Sequence, residues 1–328
     1  MNVLTDPSPA SRHPALLGPG LPVLAIDVGG TDMKAALVDA DGRIVEILRR
    51  PTPHEGARTG EAVVEAVVAI AGELRLAHPG LAPAALGLLV PGHVDDARGV
   101  GVFAENLGWT EFPFRAAASQ ALGIPVSFSH DVRGAGEAEQ RLGAAAPYRD
   151  VVVMAIGTGI AGALFLDGRL ITGGGLVGEM GHSKVADGPV CACGGIGCLE
   201  AVASAAAIAR RYNAATGASV PGAREVLERA RAGDQHAVAV WESALDALAL
   251  DLSHTVALLS PEAVVIGGGL SQAGDALFGP LADRLDRILT FQRRPVLLRA
   301  SIGENAGVIG AALRARDLLD GPVPRPER

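Results

Sequence analysis

The sequence predicts an α/β protein of two domains, and three observations support this fold class. The chain has 328 residues, which is long for a single core, and 49% of them are hydrophobic. Strand-like apolar segments alternate with helix-like ones, an order that favours a mainly parallel sheet with helices on both faces. Two segments, starting at Leu24 and Val151, share one pattern of strand, Gly/Thr turn, strand, Asp-Gly turn and strand. We therefore expect one supersecondary unit to occur once in each domain.

The other elements follow in the same alternating manner. After the first repeat, the predicted order is helix 59–77, strand 84–92, short helix 112–123, strand 124–131 and helix 132–143. After the second repeat, we expect a helix over 199–213, a strand before the glycines 267–269, and a closing helix over 305–318. The predicted organisation is a flexible tail over 1–22, a smaller lobe over 23–133 that the closing helix joins, and a larger lobe over 134–304.

Composition limits the partners and the compartment. A net charge of −8 and a pI of about 5.5 argue against a nucleic-acid surface. Apolar runs stay shorter than the roughly 20 residues of a membrane span, and the proline-rich start lacks the pattern of a signal peptide. Three cysteines make a disulfide framework improbable. We expect a cytoplasmic protein that binds neither nucleic acid nor membrane.

All three cysteines lie in one glycine-rich decapeptide, CACGGIGCLE, over residues 191–200. Cys191, Cys193 and Cys198 supply three thiolates, and the intervening glycines let the sulfur atoms face one point. A structural zinc site needs four nitrogen or sulfur ligands, and His182 lies just upstream to complete the set. Three buried free cysteines in a loop are the alternative interpretation.

A metal in this loop would fix polar side chains at both of its ends. Glu179 and His182 precede the cysteines and Glu200 follows them, as a hydroxyl-rich ligand would require. If one ring nitrogen of His182 binds the metal, the other can face that ligand. Glu200 also fits a simpler role, favouring the dipole of the helix that starts there.

The Gly/Thr turn of each repeat is a candidate phosphate site. Gly29, Gly30 and Thr31 offer backbone N–H groups and a hydroxyl, and Asp27 before them could hold Mg²⁺ or its water shell. Ordinary glycine hairpins are the alternative. The same cradle recurs at Gly157, Thr158 and Gly159. The glycine spacing there also fits a dinucleotide fingerprint, but a strand rather than a helix follows, which argues against that site.

Three further places carry candidate groups. Asp131 stands where a strand ends and a helix starts, so it could be a general base toward a hydroxyl or simply a helix cap. Asn106 in the loop FAENLGW could bind a sugar diol or only form a turn. The glycines Gly268 and Gly269 follow a strand and offer a flat surface to a base or phosphate.

Together these motifs resemble the ROK family of sugar kinases and repressors. The likeness runs from about Leu24 to the last helix and rests on DVGGT, IGTGIAG, VVIGGGLS and GEMGHSKVADGPVCACGGIGCLE. It implies a two-lobed, duplicated actin/hexokinase-like (ribonuclease H-like) α/β fold with sugar and ATP in an interlobe cleft. It also implies a glucokinase-like enzyme that transfers phosphate from ATP to a hexose, with glucose 6-phosphate as the expected product.

The resemblance assigns a role to each candidate residue. It makes Asp131 the general base and implies zinc ligands at His182, Cys191, Cys193 and Cys198. Hexose contacts are expected from Asn106, Asp131, Glu179, His182 and Glu200. Contacts with Mg²⁺-ATP and its phosphates are expected from Asp27, Gly29, Gly30, Thr31, Lys34, Gly157, Thr158, Gly159, Gly268 and Gly269.

The sequence departs from the family next to the expected base. His130 and Arg133 replace two asparagines of the family's N-D-A-N stretch; His130 could still bond a sugar hydroxyl, and Arg133 could narrow the sugar choice or contact phosphate. An N-acetylglucosamine or N-acetylmannosamine kinase is therefore an alternative. A sugar-sensing regulator is disfavoured, because a proline-rich segment stands where a DNA-binding domain would be. The family suggests dimers or tetramers, and the cysteine cluster favours ATP over polyphosphate.

Overall fold

A computed structural model describes residues 17–320, so most of the tail predicted over 1–22 lies outside the described residues. The strands are β1 (Val23–Val28), β2 (Asp32–Val38), β3 (Ile44–Pro51), β4 (Ala85–Val90), β5 (His93–Asp95), β6 (Val100–Phe103), β7 (Thr110–Phe112), β8 (Val126–His130), β9 (Val151–Ile156), β10 (Ile160–Leu166), β11 (Arg169–Ile171), β12 (Ala263–Gly267) and β13 (Val296–Arg299).

The helices are α1 (Thr59–Ala77), α2 (Phe114–Leu122), α3 (Asp131–Leu142), α4 (Leu199–Ala203), α5 (Ala205–Thr216), α6 (Ala223–Arg231), α7 (Gln235–Leu259), α8 (Asp275–Ile288) and α9 (Ala306–Asp320). Short 3₁₀ turns lie at Gly56–Arg58, Gly173–Gly175, Met180–His182, Gly269–Ala273 and Gly303–Asn305. Within the described residues, no helix is both long enough and apolar enough to cross a membrane.

The chain forms two compact units. Unit 1 comprises the chain up to Leu142, the segment Gly173–Leu176 and the chain from Glu304 onward. Unit 2 comprises Gly143–Thr172 and Val177–Gly303. Helix α3 therefore belongs to unit 1, although the sequence set the domain boundary at residue 133. The reason is that α3 packs closely on α9, the last helix of the same unit.

The two units repeat one sheet topology. Unit 1 has the strand order β3-β2-β1-β4-β8, and unit 2 has β11-β10-β9-β12-β13. In each sheet the first three strands pair antiparallel and the last three pair parallel. The predicted repeat is thus confirmed, but the expectation of mainly parallel sheets was wrong. Short turns can join only antiparallel neighbours, whereas parallel strands need long crossovers.

One of these turns shows how the sequence dictates the hairpin. Leu166 pairs directly with Arg169, which leaves a two-residue loop of Asp167 and Gly168. Both loop residues have positive φ angles, 53° and 73°. This is the geometry that an Asp-Gly pair favours in a tight hairpin, since glycine carries no Cβ and aspartate tolerates the left-handed region.

Several elements escaped sequence prediction. The antiparallel sheet of β5, β6 and β7 and the helices α6 and α7 were not predicted. The helix expected over 199–213 is two helices, α4 and α5, because Ser204 adopts an extended conformation (φ −64°, ψ 154°). Its hydroxyl accepts a hydrogen bond from Ala207 N–H and caps α5.

The core of unit 1 determines which way the residues of β1 point. Leu24 and Ile26 pack in the cluster that includes α1, whereas Val23 and Ala25 pack in the cluster that includes α9. Because side chains alternate along a strand, Asp27 points to the α9 face. This is where the carboxyl end of β1 meets the start of α9.

The contact between α3 and α9 generates a stability prediction. A Cβ on Gly310 would lie 1.9 Å from the Gly134 carbonyl oxygen, so we expect Gly310→Ala to destabilise the protein by about 1–3 kcal/mol. Gly72→Ala in α1 is the matched control, because a Cβ there meets no atom within 4 Å and should stabilise the helix by about 0.5–1 kcal/mol. Differential scanning calorimetry should show opposite shifts in Tm; equal Tm values would contradict close packing of α3 on α9.

Candidate active site

Unit 1 carries two neighbouring acidic groups at one edge of its sheet. Asp27 lies in β1, and Asp131 is the first residue of α3, directly after β8. Burial and the charge of Asp131 raise the pKa of Asp27 to about 7. Burial likewise raises the pKa of Asp131 to about 6, against the opposing effects of Val132 N–H and Arg133. The predicted base and the predicted magnesium ligand thus influence each other electrostatically.

One oxygen of Asp131 is held in place by its own helix. Val132 N–H donates to Asp131 Oδ1 at 2.6 Å, and His130 Nδ1 lies 3.1 Å from the same oxygen. The positive end of α3 further favours a carboxylate at this position. This bond joins adjacent residues and is not the bond to a second or third helical N–H that a cap makes, so the capping role and the catalytic role of Asp131 both stay predictions.

The start of α9 closes around Asp27. A Cβ on Gly307 would lie 1.9 Å from Asp27 Oδ2, so only glycine allows the helix to approach the carboxylate this closely. Lys34 lies opposite Asp27 in the register of β1 and β2. Its ammonium donates to the Glu304 carbonyl oxygen and lies 3.3 Å from Asn305 Oδ1. Lys34, a predicted phosphate contact, thus joins β2 to the segment before α9.

The first Gly/Thr turn is supported from the segment after β3. Thr52 Oγ1 donates to the Gly29 carbonyl oxygen at 2.7 Å, and Thr52 N–H donates to the Thr31 carbonyl oxygen at 2.8 Å. Gly30 and Thr31 are exposed, and a Cβ on Gly30 would meet no atom within 4 Å. The turn therefore leaves its outer face open to a ligand. Sequence reasoning missed Thr52, because a threonine 21 residues after the turn gives no local signal.

Asn106 lies apart from these groups along the chain, in an exposed turn between β6 and β7. The turn is closed by Gly108 N–H, which donates to the Ala104 carbonyl oxygen at 2.7 Å. Asn106 is therefore part of a turn, and its role as a sugar contact stays a prediction.

Arg133, next but one after Asp131, is buried and hydrogen-bonded within unit 1. Its side chain is 2% exposed, and its guanidinium donates to the carbonyl oxygens of Val94 and Gly175 and to Asp96 Oδ1 at 3.0–3.2 Å. With its charge paired to Asp96 inside unit 1, Arg133 braces β5 and the segment Gly173–Leu176 against α3. The suggested contact of Arg133 with sugar or phosphate stays a prediction, and the bonds that the structure shows give it a supporting role within unit 1.

In unit 2, Glu200 is bound to the second Gly/Thr turn. Its Oε2 accepts a hydrogen bond from Ile160 N–H at 2.9 Å. A Cβ on Gly159 would lie 2.4 Å from that same oxygen, so the turn needs glycine there. The turn itself is closed by Gly157 N–H, which donates to the Gly159 carbonyl oxygen at 2.9 Å. Glu200 thereby links the end of the cysteine loop to Thr158, the predicted phosphate contact.

The glycines after β12 lie beside this turn, because β12 pairs parallel with β9. Gly268 has a φ of 76°, and a Cβ there would lie 2.4 Å from the Ile156 carbonyl oxygen. Gly269 is exposed and has open space around its Cα. The predicted adenosine surface and the second phosphate turn thus share the carboxyl edge of the unit 2 sheet.

The structure brings the four predicted zinc ligands together. One ligand atom from each of His182, Cys191, Cys193 and Cys198 lies within 4.8 Å of the others. Cys191 Sγ is 3.7 Å from His182 Nδ1, and the sulfur atoms of Cys193 and Cys198 are 3.7 Å apart. One imidazole and three thiols form a ligand set that suits a tetrahedral structural zinc ion.

The acidity of the thiols shows why a cation would stabilise this cluster. Burial and the neighbouring thiols of Cys193 and Cys191 raise the pKa of Cys198 to about 12. A hydrogen bond from Gly195 N–H instead lowers the pKa of Cys193. A bound divalent cation would lower the pKa values of the thiols, because it stabilises all three thiolates.

His182 connects this cluster to Glu179. Its Nδ1 faces Cys191, while its Nε2 lies 3.9 Å from Glu179 Oε2. Both side chains are about one third exposed, at 37% and 34%. The ring can therefore bind a metal through Nδ1 and still present Nε2, beside the Glu179 carboxylate, to a ligand.

The duplicated topology and the placement of these turns define an actin/hexokinase-like protein, the class that the sequence predicted. The ROK family model matches residues 23–317, and the chain belongs to the ROK family. A glucokinase of Thermotoga maritima is 32% identical over 321 residues, which cover 92% of this chain and 100% of that protein. An N-acetylmannosamine kinase of Citrobacter koseri is 34% identical over 299 residues, or 89% of this chain and 98% of that protein.

Among solved structures, a ROK family glucokinase from Streptomyces griseus in complex with glucose and AMPPNP has a TM-score of 0.76. It is 31% identical, and the match covers 90% of this chain and 99% of that chain. The family membership expected from the motifs is therefore confirmed.

The cysteine cluster generates a metal prediction. Protein purified without chelators should contain about one zinc per chain by elemental analysis, because the ligand set is complete. Cys198→Ser should lose most of that zinc, since it removes a buried ligand. Ser260→Ala, at the end of α7 and outside the cluster, is the control and should keep it. Zinc-free wild-type protein would show that the four residues are not a zinc site.

Proposed function

We propose that this chain is an ATP-dependent hexose kinase that converts glucose and ATP to glucose 6-phosphate and ADP. The observation that carries the proposal is the carboxyl of Asp131, held by Val132 N–H at the end of β8 with a pKa raised to about 6. The glucokinases that the chain resembles support the substrate, and the AMPPNP complex of one of them supports the phosphoryl donor.

Asp131 acts as the general base in this reaction. It accepts the proton of the sugar 6-hydroxyl as that oxygen attacks the γ-phosphorus of ATP, and ADP leaves with the electrons of the broken P–O bond. A pKa of about 6 keeps Asp131 ionised at neutral pH, yet makes it a better proton acceptor than an ordinary aspartate. The bond from Val132 N–H fixes Oδ1 and so orients Oδ2 toward the hydroxyl.

The sugar is held by side chains that can pair with its hydroxyl groups. Glu179 and His182 accept or donate through Oε and Nε2, and Glu200 contributes the oxygen that Ile160 N–H does not occupy. Asn106 is a further hexose contact that the family resemblance implies. Zinc at His182 and the three cysteines has a structural role, since it fixes the imidazole that meets the sugar.

Each Gly/Thr turn offers contacts to a phosphate group of ATP, and the glycine surface of unit 2 offers a contact to the base. Thr31 and Thr158 donate their hydroxyls, and the exposed backbone at Gly268 and Gly269 lies against the nucleotide. Mg²⁺ fits at Asp27, because that carboxyl is buried beside Asp131 and a cation would relieve their repulsion. When bound, Mg²⁺ neutralises charge on the phosphates.

A second candidate substrate is N-acetylmannosamine. The Citrobacter koseri N-acetylmannosamine kinase is as similar to this chain as the glucokinases are, and the groups named above would bind either sugar. N-acetylglucosamine belongs to the same alternative. The expected cytoplasmic location suits an ATP-consuming reaction. Light scattering would measure whether the protein forms the expected dimer or tetramer.

Replacing the base tests the mechanism. We expect Asp131→Asn to lower kcat by at least about a thousandfold, because the amide keeps the shape of the side chain but cannot accept the proton. Sugar affinity should change far less, since the amide still forms hydrogen bonds. A coupled assay for ADP measures kcat, and calorimetry measures sugar binding; near-normal turnover would remove Asp131 from the mechanism.

A substrate panel decides between the candidate sugars. With ATP and Mg²⁺, we expect kcat/KM for glucose to exceed the values for mannose, fructose, N-acetylglucosamine and N-acetylmannosamine by at least about tenfold, the usual effect of one misplaced polar group. A higher kcat/KM for an N-acetylated sugar than for glucose would show that the protein is a kinase of that sugar instead. Turnover of none of them would refute a hexose kinase.

A further inference from the structure

A buried carboxyl group of α7 contacts the residue that follows His182. Asp251 is 4% exposed, and its Oδ1 forms a hydrogen bond with Ser183 Oγ. The Ser183 carbonyl oxygen accepts a hydrogen bond from Leu199 N–H at 2.9 Å, directly after Cys198. Ser183 therefore joins α7 both to the turn that carries His182 and to the segment that carries Cys198. No motif of the sequence pointed to this contact, which spans 68 residues of the chain.

The hydroxyl of Ser183 has two oxygen partners but only one proton. Its Oγ lies 2.8 Å from the Met180 carbonyl oxygen and also contacts Asp251 Oδ1. A carbonyl oxygen can only accept, so Ser183 must donate to Met180 if both hydrogen bonds are to form. Asp251 must then supply the second proton. This count requires a neutral carboxylic acid at position 251.

The surroundings of Asp251 agree with a neutral group. Its Oδ2 is buried and has no hydrogen-bond partner among the described residues, which would be costly for a charged carboxylate. Burial raises the pKa of Asp251 and is the largest influence on it; a hydrogen bond donated by Ser183 to an ionised carboxylate and the charge of His254, one turn along α7, would oppose this. Among the described residues, no Lys or Arg forms a salt bridge with it.

We propose that Asp251 is a positioning residue: as a neutral acid it donates to Ser183 Oγ, which donates to the Met180 carbonyl oxygen, and this chain of bonds fixes Glu179 and His182. The 3₁₀ turn Met180–His182 contributes few hydrogen bonds of its own, among them His182 N–H to the Glu179 carbonyl oxygen at 3.0 Å. An anchor on the long helix α7 therefore holds the imidazole steady for zinc and for the sugar. The part concerning sugar rests on the proposed function, whereas the part concerning zinc does not.

The size of the expected effects follows from what is known of residues that support metal ligands without touching the metal. Loss of such a partner typically weakens metal binding or activity by about 10–100-fold. We therefore expect Ser183→Ala and Asp251→Leu each to speed zinc release to a chelator by about tenfold or more. The KM for the sugar substrate should rise by a similar factor. The kcat should fall less, because neither substitution changes Asp131, which belongs to unit 1.

The experiment compares zinc release from the full-length zinc-loaded protein and four variants, followed with a coloured chelator. Asp251→Asn keeps a donor toward Ser183 Oγ and should release zinc within about threefold of wild type. Ser253→Ala is the matched control: it removes another buried α7 hydroxyl, which donates only to the Leu250 carbonyl oxygen at 2.7 Å, and should leave release unchanged. Circular dichroism checks folding, and Ser183→Ala carries the test alone if Asp251→Leu does not fold.

Infrared difference spectra of wild type minus Asp251→Asn at neutral pH give a second, independent measure. A carboxylic-acid C=O band is expected, and a carboxylate signal in its place would overturn the neutral state of Asp251. Equal zinc release from Ser183→Ala and Ser253→Ala would overturn the positioning role. Since neither readout involves phosphoryl transfer, this failure is distinguishable from a failure of the proposed kinase activity.

Discussion

Convergence of one imidazole and three thiols within 4.8 Å is the constraint on which the functional face of unit 2 depends. Glycine makes that convergence possible: a Cβ on Gly197 would lie 1.7 Å from the Ala186 carbonyl oxygen, and Gly194 has a φ of 84°. Without a cation, burial and the thiols of Cys193 and Cys191 raise the pKa of Cys198 to about 12, so ionising this thiol is costly. A zinc ion bound there would stabilise the three thiolates and hold the loop closed.

The loop is flanked on both sides by polar side chains. On one side, His182 lies beside Glu179. On the other side, Glu200 lies in the first turn of the helix after Cys198 and accepts a hydrogen bond from the second Gly/Thr turn. A metal that fixes the loop therefore fixes carboxylates and an imidazole at once, and ties them to the backbone beside Thr158. The expected sugar contacts and the expected phosphate contact at Thr158 would then lie on one connected part of unit 2.

The corresponding feature of unit 1 is a pair of acidic side chains, Asp27 and Asp131. Asp27 and Asp131 lie at strand ends, near the starts of α9 and α3, and burial raises the pKa of both carboxyl groups. Burying two like charges costs stability, which is tolerated where a cation and a substrate proton relieve it. Close packing of α3 on α9 through Gly134 and Gly310 keeps the two groups at a fixed separation. The same packing explains why the last helix of the chain belongs to unit 1.

The sequence predicted those features that are local along the chain. The hairpins with their Gly/Thr and Asp-Gly turns, the cysteine cluster with His182 and the strand-to-helix position of Asp131 all lie in short segments whose chemistry is legible residue by residue. The supporting contacts are not local: Thr52 holds the turn at Gly29, Asp96 pairs with Arg133, and Asp251 contacts Ser183. Such pairs follow from tertiary packing, so a single sequence gives no signal for them. Arg133 shows the limit most clearly, because its place beside Asp131 gave no sign that it is buried and paired with Asp96.

The affinity of the zinc-loaded and zinc-depleted protein for glucose, measured by calorimetry without nucleotide, tests the central claim that the metal-fixed loop forms the sugar site. If zinc fixes Glu179 and His182, depletion should weaken binding by at least about tenfold, the lower range for loss of support at such a site, while circular dichroism shows a folded protein. Restored zinc should restore binding. Equal affinity with and without zinc would contradict the claim.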